Sequence, residues 1–214
     1  MRELLDPADL IAPFFATLAL VLVPGPAVLY IITRSVNQGR TAGLASAAGI
    51  ATGGLVHVAG AALGLSALLA SSAAAFSLVK YIGAAYLIYL GVRTLMTAPS
   101  LMDSTNAERT ALHRLYSQGI VVQAFNPKVA LFFLAFLPQF IDPHRGSVVA
   151  QSLILGSMFI LVGLCTDSTY ALVAGTLGAW LKQQRAFAAV QRYVAGAVFV
   201  GLGLTTALTG QPTK

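Results

Sequence analysis

The sequence predicts an all-α integral membrane protein with six transmembrane helices. Hydrophobic residues make up 57% of the 214 residues and charged residues only 9%, whereas a soluble domain carries about 25% charged residues. Three stretches, 10–33, 41–79 and 146–181, together hold a single Asp and no Glu, Lys or Arg. Since roughly 20 apolar residues cross a bilayer, residues 1–214 are expected to form one transmembrane domain.

Apolar runs separated by short polar connections define the six helices. They are placed at 10–34, 41–68, 75–97, 116–140, 148–180 and 187–209. The one long polar connection covers residues 99–115. It divides the chain into two halves of three helices each, residues 1–98 and 116–214.

The two halves resemble each other in sequence. KYIGAAYLIYLG at 80–91 aligns with RYVAGAVFVGLG at 192–203, and PGPAVLYII at 24–32 aligns with FNPKVALFF at 125–133. Three helices in each half is an odd number, so the halves would insert with opposite orientations. The sequence therefore predicts a 3+3 inverted repeat, an architecture found in secondary transporters.

The distribution of lysine and arginine predicts the orientation. Eight of the 13 basic residues fall on one side of the predicted helices: Arg34, Arg40, Arg93, Arg109, Arg114, Lys182, Arg185 and Arg192. Four fall on the other side: Arg2, Lys80, Arg145 and Lys214. Cytoplasmic loops carry the excess of basic residues, so both termini are predicted to be periplasmic. The net charge of +6 is thus attributed to topology, and no nucleic-acid partner is expected.

The first predicted helix contains the strongest helix breakers of the chain. Pro24 and Pro26 each lack a backbone donor, and Gly25 between them adds flexibility. A new half-helix is expected to begin here within the membrane, with Ala27 supplying one of its first unpaired N–H groups.

The fourth predicted helix carries a second break in the matching position. Asn126 is a strong N-cap residue and Pro127 suits the first helical position. Lys128 follows directly, and Gln123 lies about one turn earlier. Two ordinary proline kinks are the alternative explanation. Two breaks in register favour a site instead, because half-helix N-termini attract anions and irregular backbone at this depth must face protein or a watery cavity. The breaks are expected side by side at mid-depth, with helices one and four lining a central cavity.

Polar residues within the other helices are the remaining candidates. A carboxylate such as Asp167 is costly inside a membrane and marks function by default, although a neutral, hydrogen-bonded Asp that only packs helices is the alternative. Tyr170 lies on the same helix face as Asp167. His57, in the middle of helix two, is either a packing residue or a proton relay.

Two GxxxG patterns lie in the second helix, at 49–53 and 60–64. Small residues at this spacing let helix backbones approach closely. They are therefore interpreted as packing faces, of which one could form the contact of a homodimer.

With these residues identified, the chain resembles the lysine-exporter (LysE/RhtB) family of amino-acid efflux permeases, and the RhtB branch in particular. The resemblance rests on PGPAVLYII, LVKYIGAAYLIYLGVRTL, FNPKVALFFLAFLPQFI and the pair Asp167 and Tyr170. It implies export of amino acids or close derivatives, such as homoserine, homoserine lactone and threonine, across the bacterial inner membrane. It also implies exchange with protons, and no cofactor is expected.

An amino acid is a zwitterion, so both of its charges need partners within the membrane. The half-helix ends after Pro26 and Asn126, with Lys128 nearby, are predicted to hold the carboxylate. Asp167 is predicted to face the ammonium and to exchange it for a proton, with Tyr170 orienting either group. His57 is the second candidate for proton coupling.

Other functional classes fit the sequence less well. An intramembrane aspartyl protease needs two carboxylates, but only Asp167 lies within a predicted helix, and the GxSxG motif of serine hydrolases is absent. An enzyme is therefore not predicted. A metal-ion exporter would need several ligands at depth, and no metal site is predicted. A non-transporting helical subunit would explain the GxxxG patterns but not two aligned breaks.

Overall fold

The computed structural model describes residues 7–71, 73–96 and 110–181, together with a few helical positions between 193 and 208. Within these ranges the chain is helical and contains no strand. Most of the predicted sixth helix, most of the second aligned motif and most of the 99–115 connection lie outside the described residues.

The described chain forms seven α-helices: α1 (Ile11–Leu22), α2 (Pro26–Gln38), α3 (Arg40–Ser71), α4 (Ala73–Met96), α5 (Leu112–Ala124), α6 (Pro127–Leu131) and α7 (Val148–Leu181). The 3₁₀ turn Pro7–Leu10 precedes α1. A π-helical turn, Phe132–Phe136, and a 3₁₀ turn, Leu137–Phe140, continue α6. A short 3₁₀ turn, Pro143–Arg145, comes before α7.

Both predicted breaks are confirmed. The axis turns by 51° between Ala8–Leu22 and Pro26–Gln38, and by 42° between Leu112–Ala124 and Pro127–Phe140. Proline occupies the first position of α2 and of α6, where its missing N–H costs nothing within the new helix. The predicted helices one and four are therefore each two half-helices.

Length and composition make several of these elements able to cross a bilayer. Arg40–Gly64 and Val148–Leu177 are each long and apolar enough to cross a bilayer. Each bent pair of helices is also long and apolar enough if it is counted as one span. The described part of the chain therefore contains up to four spans. Large side chains such as Phe15, Leu63 and Leu161 are exposed on the helical surfaces. Soluble proteins rarely expose broad apolar surfaces, so these faces suit contact with lipid.

The first GxxxG pattern is a contact within the protomer. A Cβ added to Gly49 would lie 2.1 Å from the carbonyl oxygen of Tyr116, and one added to Gly53 would lie 2.5 Å from that of Ile120. From the other side, a Cβ on Gly119 would lie 2.7 Å from the Ser46 oxygen. The backbones of α3 and α5 are therefore in direct contact, which places α5 and the second break against α3.

Replacing Gly49 with alanine is expected to destabilise the protein by about 1–3 kcal/mol, because overpacking forces the two backbones apart. Gly54→Ala on the same helix is the control, since its Cβ would meet Ile160 at an ordinary 3.5 Å. Thermal unfolding in detergent should show a lower midpoint for Gly49→Ala alone. Equal midpoints for the two variants would contradict this packing.

Buried apolar clusters hold the half-helices in place. One joins α1 to the segment after the second break, with Phe132, Phe133 and Phe159 at its centre. The Phe133 and Phe159 rings meet edge to face, with centroids 5.0 Å apart. A second cluster packs Ala27 and neighbours on α2 against α3 and α7. Since lipid offers no hydrophobic drive for helix association, this close packing is what supports the breaks.

Candidate functional site

Lys128 brings the two breaks together. Its side chain is buried, and its Nζ donates hydrogen bonds to the carbonyl oxygens of Val23 at 2.8 Å and Leu20 at 3.2 Å. These carbonyls lie at the C-terminal end of α1, where helices carry unpaired acceptors and partial negative charge. Lys128, the second residue of α6, therefore neutralises the C-terminal end of α1. The expectation that the two breaks lie side by side is confirmed.

Gly25 lets this lysine approach the backbone closely. The glycine is buried, and a Cβ at its position would lie 3.3 Å from both Cε and Nζ of Lys128. Contacts this short force the neighbour to move. Since the backbone of Gly25 is extended, with φ of −123°, the reason for glycine is space rather than conformation.

The start of α2 presents unpaired backbone donors. Pro26 has no N–H, and the first N–H bonded to a backbone carbonyl at this end is that of Leu29, which donates to Gly25 at 2.9 Å. No side chain caps this end. Within the described part of the chain, the N–H groups of Ala27 and Val28 have no hydrogen-bond partner, although both residues are buried. Such an end favours a negatively charged ligand group.

Asp167 lies near this helix end. It is buried on α7, one helical turn before Ala171, and Ala171 packs in the same cluster as Ala27. Among the residues the structure describes, its carboxylate accepts no hydrogen bond and has no ion-pair partner within 4.0 Å. It interacts with the charge of Lys128 at longer range. A buried carboxylate without a direct partner is costly, which suits a group that binds a cation or a proton.

The second break differs from the first because the Asn126 side chain caps it. The Asn126 side chain accepts a hydrogen bond from the Lys128 N–H at 3.1 Å and donates one to Gln123 Oε1 at 3.1 Å. The two helix starts therefore differ: the start of α2 is uncapped and the start of α6 is capped. At α6 the asparagine amide occupies the position that a ligand would take.

His57 and Tyr170 both contact the breaks through backbone oxygens. His57 Nε2 lies 2.8 Å from the carbonyl oxygen of Gln123, and its ring stacks on Phe133 at 6.0 Å. The Tyr170 hydroxyl donates to the Leu22 carbonyl at 2.8 Å. Both side chains thus lie at the predicted site, but each is engaged by a helix end.

The arrangement can hold a zwitterion, with one buried carboxylate and one uncapped helix start. Within the described residues, no three His, Cys, Asp or Glu side chains are placed to hold a metal ion. The sequence model of the family described as "LysE type translocator" matches residues 18–210. The chain belongs to this family. The match includes both breaks and Asp167.

Relatives of this translocator share most of its length. It is 35% identical over 184 residues to the homoserine/homoserine lactone efflux protein of Salmonella typhimurium, a match that covers 86% of this chain and 88% of that protein. The protein of the same name from Salmonella typhi matches equally. An uncharacterized membrane protein of Vibrio cholerae is 30% identical over 186 residues, which cover 87% and 90% of the two chains. No solved structure matches the chain.

The structure also shows a polar contact of this translocator that the sequence analysis missed. The Tyr30 hydroxyl on α2 donates to the Leu115 carbonyl on α5 at 2.8 Å. Arg34 lies over the Tyr30 ring and donates to Gln118 Oε1 at 3.2 Å. The four-residue spacing of Tyr30 and Arg34 was a signal for a shared helix face. Their partners on α5 are more than 80 residues away, so no local pattern indicates them.

Proposed function

We propose that this LysE-type translocator exports amino acids or close derivatives, such as homoserine, homoserine lactone or threonine, from the cytoplasm in exchange for protons. The observation that carries the proposal is the buried Asp167 carboxylate, which lacks a direct partner near the uncapped start of α2. The names of the Salmonella relatives support the class of substrate.

The ammonium group of the substrate binds Asp167. Homoserine and its lactone differ in whether the carboxylate is free, but both carry the amino group. One carboxylate on the protein can therefore recognise the group that the substrates share. The charge-assisted hydrogen bonds of such a pair are about twice as strong as neutral ones, and they replace part of the solvation that the ammonium loses at this depth.

The carboxylate or lactone oxygen of the substrate binds the start of α2. The N–H groups of Ala27 and Val28 are the donors, and the nearby Lys128 adds positive charge. A free carboxylate gains from both the dipole and the charge, whereas a lactone oxygen accepts a hydrogen bond only. Free amino acids should accordingly bind more tightly than lactones.

Proton exchange follows from the use of one carboxylate for two cations. An ammonium and a proton cannot both neutralise Asp167, so binding of one displaces the other. The substrate leaves on the outer side and a proton replaces it, and the proton is released on the inner side when the next substrate binds. Coupling through competition needs no further titratable residue.

The proposed architecture is a 3+3 inverted repeat with both termini in the periplasm. Two breaks at matching positions and the 8-to-4 bias of basic residues support it. The breaks would then lie near the bilayer midplane, facing a central cavity between helices one and four.

Cysteine labelling tests this topology. In a Cys165→Ser background, we expect His144→Cys to react with a membrane-impermeant maleimide in intact cells, because the loop before α7 faces outward. Thr41→Cys, at the start of α3, should react only after the cells are opened. Both positions are exposed in the structure, so the reverse pattern would refute the orientation.

The export function is tested by efflux from cells loaded with radiolabelled homoserine, threonine or lysine. Cells that make the protein should lose homoserine or threonine faster than cells carrying an empty vector, and a protonophore should abolish the difference. Unchanged efflux for every amino acid offered would overturn the proposal and favour a non-transporting subunit.

A further inference from the structure

Each break leaves one particular carbonyl without its helical donor. In an α-helix the N–H of residue i donates to the carbonyl of residue i−4, and proline has no N–H. Pro26 therefore withdraws the donor from Leu22, four residues earlier, and Pro127 withdraws it from Gln123, also four residues earlier. The two carbonyls are equivalent positions of the aligned halves.

A side chain from the other half replaces the missing donor at each position. The hydroxyl of Tyr170, on α7, donates to Leu22 at 2.8 Å. Nε2 of His57, on α3, lies 2.8 Å from the Gln123 oxygen, which also accepts the N–H of Asn126 at 3.0 Å. The first half thus supports the break of the second half, and the second half supports the break of the first.

We infer that His57 and Tyr170 are a matched pair of positioning residues that hold the two breaks open for transport. Each bond fixes the end of one half-helix to a long continuous helix of the other half. The end bound by Tyr170 is directly followed by the uncapped start of α2. The end bound by His57 is directly followed by the break that carries Lys128. Neither side chain needs to touch the substrate or carry a proton to affect transport.

The His57 contact also determines which ring nitrogen carries a hydrogen. A carbonyl oxygen can only accept, so Nε2 must carry a hydrogen. A donor of similar reach should therefore replace the imidazole. This separates a positioning role from the proton-relay role that the sequence also allowed, since a relay needs a group that gains and loses a proton.

Efflux kinetics of four variants test the inference, which for this readout rests on the proposed export function. His57→Leu and Tyr170→Phe should raise the substrate concentration for half-maximal efflux about tenfold, as expected for one lost hydrogen bond of ordinary to charge-assisted strength. His57→Gln, which keeps an N–H donor, should stay near wild type with an unchanged pH profile. Thr52→Val is the matched control for the His57 variants. It removes the hydrogen bond between Thr52 and Tyr116, which also joins α3 to α5 but lies away from the breaks.

Two results would overturn the inference. If His57→Gln loses transport or pH dependence as fully as His57→Leu, the imidazole itself is needed. If Thr52→Val shows the same loss, the bonds act only as general helix packing.

The ring nitrogens of His57 give a readout that depends neither on transport nor on the folding of a destabilised variant. In wild-type protein labelled with ¹⁵N-histidine, the His57 signals are those missing from His57→Gln. They should show a hydrogen on Nε2 throughout the pH range of transport. A neutral ring with its hydrogen on Nδ1 would contradict the contact, even if the protein moved no amino acid.

Discussion

Asp167→Asn is expected to abolish proton-driven accumulation of amino acid while the protein still folds and inserts. Asparagine has nearly the same shape but can neither ionise nor exchange a proton for an ammonium. In proteoliposomes with an imposed pH gradient, wild type should accumulate homoserine against its concentration gradient, and the variant should not. Any residual movement by the variant should be slow and should stop at equal concentrations.

Asp9→Asn is the matched control for this result. It removes a carboxylate that is exposed and ion-paired to Arg145, at the opposite end of α1 from the first break. Since surface ion pairs contribute little, its transport should match wild type. Accumulation by Asp167→Asn at the wild-type level would show that another group couples transport, and His57 would then be the first candidate.

Lys128→Met is expected to cause the second large loss. The methionine leaves the carbonyls of Leu20 and Val23 without their shared buried donor. We expect a loss of stability of about 1–3 kcal/mol, the cost of an unpaired buried polar group, because the Val23 carbonyl loses its donor whereas the Leu20 carbonyl still accepts the Val23 N–H. Transport should fall further than stability, because the positive charge near the substrate carboxylate disappears as well.

A positive charge at residue 128 is not expected to be sufficient for transport. Lys128→Arg keeps the charge, but its guanidinium is larger and planar, and the end of the lysine already lies so close to Gly25 that a Cβ added there would come within 3.3 Å of it. It should therefore also impair efflux. Arg114→Met, at an exposed position of α5, serves as the control. Wild-type efflux and thermal stability for Lys128→Met would contradict the structural role of this side chain.

Proline and asparagine chemistry made both breaks predictable from the sequence. Pro26 and Pro127 begin new helices because a missing N–H and a fixed φ act locally, whatever the rest of the fold does. The long helices were equally predictable from the sequence. For example, α7 covers 148–181, and the predicted helix covered 148–180. The start of α5 at Leu112 rather than 116 was missed, since its first turn carries polar residues that suit a helix end and a loop equally well.

The partners of the polar side chains could not be predicted. Lys128 and Tyr170 bind backbone carbonyls of α1, and every residue carries a carbonyl, so no residue type marks the acceptor. The difference between the two helix starts was also hidden. It depends on whether Asn126 turns its amide onto its own helix or leaves the end open, which packing decides.

The competition of substrate and proton for Asp167 is measured most directly by calorimetry on the purified protein. Homoserine is titrated into wild type and into Asp167→Asn, in buffers of different ionisation enthalpy over a series of pH values, which gives the number of protons released per substrate bound. We expect proton release by wild type at pH values where Asp167 is protonated, approaching one proton per homoserine, and none by Asp167→Asn. Homoserine binding without proton release by wild type at every pH, or equal release by both proteins, would contradict the central claim.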